Sequence, residues 1–313
     1  MKKITFLGNF RVDYTSETHH ANTLESLGYN VVRLQETADT TGRILREALT
    51  SDLFVWIHTH GWNTPGGLTM EQVLLELRDA GVPTMTYHLD LWFGLNRQKD
   101  LTRHPVYQHI GHFFTVDSQM ADWFNTKTNV KGHYLPAGVY DKECNYTPAT
   151  PERDIIFVGS KSYHPEWPYR PKLINFLEQN YPDKFSLYGR EGVKTVRGQE
   201  LNELYASTKV VVGDTLCPNF KYPDYWSDRI YETLGRGGFL IHPYISGLEK
   251  EFEDKKHVVF YEYNNWNQLE DLINYYLEND KEREKIRKAG HELVKKSYTY
   301  KNRWQSILKE LNV

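Results

Sequence analysis

Tyr225-Trp-Ser-Asp-Arg-Ile-Tyr-Glu-Thr-Leu-Gly-Arg-Gly-Gly-Phe-Leu-Ile-His242 reads as a short helix beginning near Trp226, a glycine stop and a buried strand. Asp228, Arg229 and Glu232 fall at helical spacing, so three charged side chains share one face near the helix start. Gly235, Gly237 and Gly238 supply a positive-φ stop and a close-packed turn. Phe239-Leu-Ile241 is apolar without alternation, as a strand covered on both faces requires. In an open parallel sheet, a helix whose charged face looks at the strand ends is a natural place for a polar ligand. A solvated helix end carrying three charges is the plain alternative.

Outward from this stretch, strand and helix alternate through both halves of the chain. The first half offers strands at 3–7, 30–34, 53–57, 83–87, 112–116 and 130–135, with helices at 18–27, 41–49 and 70–80 and a short one after Asp117-Ser118. Residues 139–153 carry prolines and charges with little periodicity. The pattern restarts with strands at 154–158, 184–188, 209–212 and 257–261 and helices at 171–180, 201–207, 266–278, 281–296 and 300–311. The helix at 281–296 is dense in Lys, Arg and Glu, which predicts a solvated face. Such alternation means an α/β protein with two Rossmann-like, doubly wound parallel sheets, expected to face one another across a cleft. The expected boundaries are 1–140, a linker at 141–153, a second domain at 154–296, and a last helix at 297–313.

Composition narrows the function. A length of 313 residues suits two domains. A hydrophobic content of 39% with 25% charged residues excludes a disordered chain. The net charge of −3 gives no help to a polyanion binder. Two cysteines far apart, Cys144 and Cys217, make neither a disulfide framework nor a zinc spacing, so a cytoplasmic protein with reduced thiols is expected. The opening Met1-Lys-Lys-Ile-Thr-Phe-Leu-Gly8 has too short an apolar run for a signal peptide and reads as a first strand. No stretch is long enough to span a membrane.

Candidate ligand groups sit where strands end. In the first half these are Gly8, Asn9, His58, His60, His88 and Asp90. His58 and His60 share a strand face, but no third ligand accompanies them, and no metal is expected. Asp90 follows an apolar strand and is the candidate base for a hydroxyl; a solvated or capping Asp is the alternative. His88 and His60 are the other candidates there, while Asp117 reads as a helix cap. In the second half, Gly159-Ser160-Lys161 offers a glycine turn, backbone N–H groups and a cation for phosphate. Arg190, after Gly189, offers a second cation. Val196-Arg197 precedes a helix and can bracket a base edge with main-chain groups. Arg229 then suits phosphate charge, and Glu232 a ribose diol. A P-loop, a Gly-x-Gly-x-x-Gly fingerprint and a Gly-x-Ser-x-Gly elbow are all missing, against ATPase, dehydrogenase and serine hydrolase readings.

These residues carry a resemblance. Ile156-Phe-Val-Gly-Ser160, Leu187-Tyr-Gly-Arg190, Glu200-Leu-Asn-Glu-Leu-Tyr205 and Ser227-Asp-Arg-Ile-Tyr-Glu-Thr-Leu-Gly-Arg-Gly-Gly238 resemble the group 1 glycosyltransferases of GT-B architecture. Within them, the likeness is to the branch similar to spore maturation (CgeB-like) proteins. It covers roughly residues 150–313 in detail and the first half by architecture alone. The resemblance implies a sugar nucleotide bound by the C-terminal domain, an acceptor held by the N-terminal one, and a last helix crossing back to the N-terminal domain. It implies no cofactor and no obligatory metal, with a UDP-sugar as the expected co-substrate. Carried over, Glu232 matches the acid that holds the ribose. The first acid of the family's paired motif would stand where this chain has Asp224, a departure from the pattern. The reading is therefore glycosyl transfer from a nucleotide-diphosphate sugar to an acceptor hydroxyl. Arg229, Lys161 and Arg190 would stabilise the diphosphate, and Asp90 or His88 would sit at the acceptor. Two rivals stand beside it: a phage-type DNA glycosyltransferase acting on a hydroxymethylated base, for which Arg97, Lys99 and Arg103 are the basic residues, and a non-catalytic nucleotide-sugar-binding module.

Overall fold

The computed structural model describes residues 1–91, 103–162, 167–215 and 223–313; Arg97, Lys99 and Cys217 lie outside them. The chain divides into two compact units. Unit 1 comprises Met1–Pro136 and Tyr300–Val313, and unit 2 comprises Ala137–Thr299.

Unit 1 runs β1 (Lys3–Gly8), α1 (Ser16–Ser26), β2 (Asn30–Gln35), α2 (Thr41–Ala48), β3 (Leu53–Trp56), α3 (Met70–Asp79), β4 (Thr84–His88), α4 (Pro105–Gln108), β5 (His112–Thr115), α5 (Ser118–Lys127) and β6 (Lys131–Tyr134). Its six strands are ordered β2-β1-β3-β4-β5-β6, all neighbours parallel, with Phe6 level with Arg33 on one side and Val55 on the other. Leu53, Phe54, Val55 and Trp56 are all buried, so β3 has helices on both faces and no solvent face to alternate with. Helix starts follow local chemistry. Thr15 and Thr40 accept N-cap bonds, Thr69 and Gln72 form a capping box, and Asp117 caps α5 by accepting from Gln119 and Met120 N–H.

Unit 2 runs β7 (Arg153–Val158), α6 (Tyr169–Asn180), β8 (Phe185–Tyr188), α7 (Gly198–Ala206), β9 (Thr208–Val212), α8 (Arg229–Gly235), β10 (Leu240–Pro243), β11 (Val259–Tyr261), α9 (Trp266–Glu278) and α10 (Asp280–Ser297). Five strands lie in the order β11-β10-β9-β7-β8, again parallel. Both sheets are doubly wound, as the alternation of strand and helix predicts. Helix α11 (Tyr300–Leu311) packs on α1 of unit 1, where Trp304 Nε1 donates to His20 Nδ1 at 3.1 Å and the Tyr300 ring stacks on His20 at 4.1 Å.

Two local expectations need correction. Helix α8 begins at Arg229, not near Trp226. Asp224 sits at φ +56°, and the Ser227 N–H is taken by the Thr215 hydroxyl at 2.8 Å, which holds the chain out of the helix until Asp228. Helix α10 is not simply solvated: Arg283 and Arg287 are 1% exposed. Arg287 donates to the carbonyls of Tyr205 (3.0 Å), Gly237 (2.7 Å) and Thr208 (2.6 Å), and Arg283 to that of Tyr276 (2.7 Å). These guanidinium groups satisfy carbonyls at the ends of neighbouring elements, which makes their burial tolerable.

Candidate functional site

In unit 2 the connection direction reverses between β7 and β9, so the carboxyl ends of these strands flank a topological switch point, where open α/β sheets bind ligands. Strand β7 delivers Phe157-Val158-Gly159-Ser160 there, and β9 delivers Gly213-Asp214. Two arginines grip the β7 end. Arg229 Nη1 donates to the Val158 carbonyl, and its guanidinium lies 5.8 Å from the Phe157 ring centre. Arg170, at the start of α6, lies 5.7 Å from the same ring, and its Nη1 donates to the Ser160 carbonyl at 3.4 Å. Gly159 has φ +147°, and a Cβ there would come within 2.6 Å of Arg229 Nη1. Gly189 has φ +149°, and its Cβ would meet the Gly159 carbonyl oxygen at 2.5 Å. The two strand-end turns touch backbone to backbone, which only glycine permits.

Asp214, fully buried, anchors this arrangement. It accepts from Arg170 Nε at 2.9 and 3.0 Å and from Trp167 Nε1 at 3.2 Å. Burial pushes its carboxyl up, but the charges of Arg170 and Arg229 and the Arg170 and Trp167 hydrogen bonds outweigh it and hold the group below its ordinary value. Behind it, burial drives His242 down to about 4, so that ring is neutral. Arg170 and Arg229 thus bring two guanidinium charges to the switch point, with Asp214 as the buried carboxylate between the strand ends.

The other second-half candidates distribute around this centre. Lys161 is half-buried, takes Glu191 Oε2 on its N–H at 3.1 Å and pairs with Glu178 at 2.7 Å. Arg190 is exposed in the adjoining turn. Val196 is buried and Arg197 exposed at the N-cap of α7; Val196 borders a cavity of about 490 Å3 that it shares with Tyr188 and Asn202. Glu232, one helical turn after Arg229, is half-buried and 4.0 Å from Arg236. Asp224 pairs with Lys250 at 2.8 Å and packs on Gly247. Among the described residues, no hydrogen bond joins Asp224 or Glu232 to the Gly159 turn.

In unit 1 the switch point lies between β1 and β3. A cavity of about 250 Å3 opens at these strand ends, and His60, His88 and Asp90 line it together with His58, Glu17 and Tyr107. Asp90 and His60 are exposed, whereas His88 is half-buried. Gly8 is buried and Asn9 half-buried at the end of β1; a Cβ on Gly8 would come within 2.9 Å of the Glu17 side chain. Burial raises the Glu17 carboxyl above its ordinary value, and the Glu36 charge adds to that. Glu36, just after β2, is fully buried; it accepts from Trp56 Nε1 and Thr59 N, each at 3.0 Å, and bonds His58 Nδ1.

Sequence reasoning named neither Glu36 nor Glu17, nor the Asp214–Arg170 pair. A carboxylate directly after a strand end, as in Gln35-Glu36 and Gly213-Asp214, was the available signal. Among the described residues no group of three or more His, Cys, Asp and Glu side chains is arranged to hold a metal ion.

Residues 148–309, more than half of the chain, match the family model described as glycosyl transferase-like. The chain belongs to that family. No curated protein matches the sequence significantly. Solved structures give the fold independently. The chain is similar to Anabaena HepE (Alr3699) in complex with UDP-glucose, with a TM-score of 0.67, 13% identity and 100% of each chain covered. An alpha-glucosyltransferase in complex with UDP-glucose and DNA containing an abasic site aligns with a TM-score of 0.71, 8% identity and 100% of each chain covered. T4 phage BGT with its UDP-glucose substrate aligns at 0.63, 14% identity and 99% of each chain. At such identities the likeness is one of fold. No helix among the described residues is long and apolar enough to cross a membrane.

Proposed function

We propose that this glycosyltransferase-family protein moves a sugar from a nucleotide-diphosphate sugar, with a UDP-sugar as donor, to an acceptor hydroxyl. The observation that carries this reading is the pair of guanidinium groups at the Gly159 turn, Arg229 on the Val158 carbonyl and Arg170 on the Ser160 carbonyl, with Arg170 paired to the buried Asp214 carboxylate, an anion site at a switch point. Arg229, with Lys161 and Arg190, neutralises the departing diphosphate, so protein cations serve where other enzymes use a metal. Glu232 accepts from the ribose, the main chain at Val196-Arg197 faces the base, and Asp224 stands near the donor sugar. Gly8 and Asn9 give close approach at the end of β1, and Asp90, His88 and His60 hold the acceptor. Residues 1–140 act as the acceptor domain and 154–296 as the nucleotide-sugar domain, joined by the 141–153 linker and by 297–313. Within the family we assign the chain to the CgeB-like branch, on Arg229-x-x-Glu232 before Gly237-Gly238.

The deciding experiment is a thermal-shift screen of UDP-, GDP-, ADP- and TDP-glucose. A donor at about a hundred times its dissociation constant should raise stability by about 2.7 kcal/mol. If none of the four shifts the transition, the reading fails.

A second reading has one observation in its favour. Next to His60, a cavity of about 340 Å3 is lined by Trp62, Arg103 and His104, and Arg11 stacks over the Trp62 ring at 4.7 Å. Cations interleaved with an aromatic face suit a nucleic-acid acceptor carrying a hydroxymethylated base. Binding of such DNA would weaken steeply with salt, and a salt-independent affinity would sink this version.

A further inference from the structure

We propose that His58, held by the buried Glu36 carboxylate, takes the proton from the acceptor hydroxyl. This inference rests on the glycosyl-transfer reading above and names a residue that reading leaves without a role. Both Glu36 oxygens are turned to donors: Trp56 Nε1 and His58 Nδ1 meet Oε1, and the Thr59 N–H meets Oε2. An acceptor so occupied fixes the tautomer of the imidazole. Nδ1 carries the hydrogen and donates it to Glu36, and the lone pair is left on Nε2. The His58 side chain is 3% exposed, yet it lines the 250 Å3 cavity, and Nε2 makes no hydrogen bond to a described residue. A buried base with a fixed tautomer and an open lone pair at a cavity is what proton abstraction from a hydroxyl needs.

His58 has a stacked neighbour that does not compete for the proton. The His104 ring, from the start of α4, stacks on it at 4.1 Å and 16°. Burial, and after it the charges of His58 and His60, push His104 down to about 4, so it stays neutral and does not compete. Glu36, just after β2, and Glu17 from α1 are the carboxylates buried near it; His88 at the end of β4, Asp90 beyond it, His60, Tyr87 and Tyr107 are the other titratable side chains lining the cavity. Asp90, exposed at the rim, is left to orient the acceptor. In the step, the acceptor O–H breaks and its proton passes to Nε2. The freed electron pair bonds the anomeric carbon, and the bond from that carbon to the diphosphate oxygen breaks with its pair leaving on the nucleoside diphosphate. Glu36 is a positioning residue, since its negative charge stabilises the imidazolium that forms.

The test uses the full chain with UDP-glucose as donor and water as acceptor, read as UDP release across pH. His58→Gln should lower turnover by about 10²- to 10⁴-fold, with the UDP-glucose thermal shift unchanged. Glu36→Gln should lower turnover less and move the acid limb of the rate to lower pH, because the ring loses the charge that favours its protonated form. A purely structural role for Glu36 would cost stability and leave that limb in place. Wild-type turnover and pH profile in His58→Gln would overturn the inference while UDP-glucose binding kept the broader reading intact. If His58→Gln failed to fold, an unmoved acid limb in Glu36→Gln would overturn it equally. A wild-type protein that neither binds nor cleaves UDP-glucose would bring down the parent reading, and this inference with it.

Discussion

At the strand ends of unit 2, one carboxylate, Asp214, is buried against the Arg170 guanidinium and within the field of Arg229; at the strand ends of unit 1, buried Glu36 meets the His58 imidazole instead, and buried Glu17 lines the same cavity. The sheets are built alike, with parallel strands, one switch point each and glycine turns leaving the strands. The difference lies in which charges the fold consents to bury. Unit 2 buries permanent cations that cannot titrate, which suits a diphosphate whose charge is also permanent. Unit 1 buries groups whose protons move, which suits a neutral hydroxyl that must lose one. On the proposed reading, one architecture serves as an anion cradle and as an acid–base cavity by changing a handful of strand-end residues.

The largest expected effect breaks the unit 2 side. Asp214→Ala leaves the buried Arg170 without its counter-ion and should destabilise the protein by roughly 3–5 kcal/mol, read by denaturant unfolding. A loss below about 1 kcal/mol would mean the network is not the anchor described here. Next, Arg229→Ala removes the cation proposed to face the diphosphate. It should weaken UDP binding roughly ten- to a hundredfold by calorimetry, from about 1.5–3 kcal/mol of lost hydrogen bonding. His88→Ala should leave UDP affinity unchanged, and equal losses in the two variants would erase the contrast between units.

Acid should separate the units further. Burial holds His20 at about 3, and burial together with neighbouring charges holds His104 and His112 at about 4, all in unit 1. In unit 2 only His242 is driven as far, to about 4, among the described histidines. An unfolded His takes up its proton below about 6.5, whereas folded His20 refuses it until about 3, so stability falls as pH drops through that window. For the fully buried His20 the slope is about 1.4 kcal/mol per pH unit. Hydrogen exchange at pH 4.5 should therefore loosen unit 1 before unit 2, and His20→Gln should remove much of the difference. The smallest effect is a control. The Lys194–Glu200 pair is more than half exposed on both sides, and Lys194→Ala should change stability by less than about 0.5 kcal/mol.

Strand positions were legible because apolar runs such as Leu53–Ile57 and Ile155–Val158 have one physical explanation in a doubly covered sheet. The strand-end glycines were legible for the same reason, since a chain leaving a parallel strand toward a helix turns sharply. The charge networks were not. Arg170 and Asp214 are 44 residues apart, and Glu36 and His58 are 22 apart. Each pair meets only because the strand order brings separate strand ends to one edge, and no local spacing encodes that. Asp90 was legible as a carboxylate after a strand, in the cleft or solvated, but the pattern could not choose between the two, because it does not say how far beyond the sheet edge a residue stands. The burial of Arg283 and Arg287 went unread for a related reason: a helix rich in Lys, Arg and Glu does not reveal which of its cations face carbonyls.

Helix α11 has a consequence for the order in which the protein matures. Trp304 and Ile307 are wholly buried, and they belong to unit 1, whose other residues are made first. A nascent unit 1 therefore waits, with the His20 surface uncovered, while the whole of unit 2 emerges from the ribosome and closes. The portion translated in the middle can finish before the portion translated at the start.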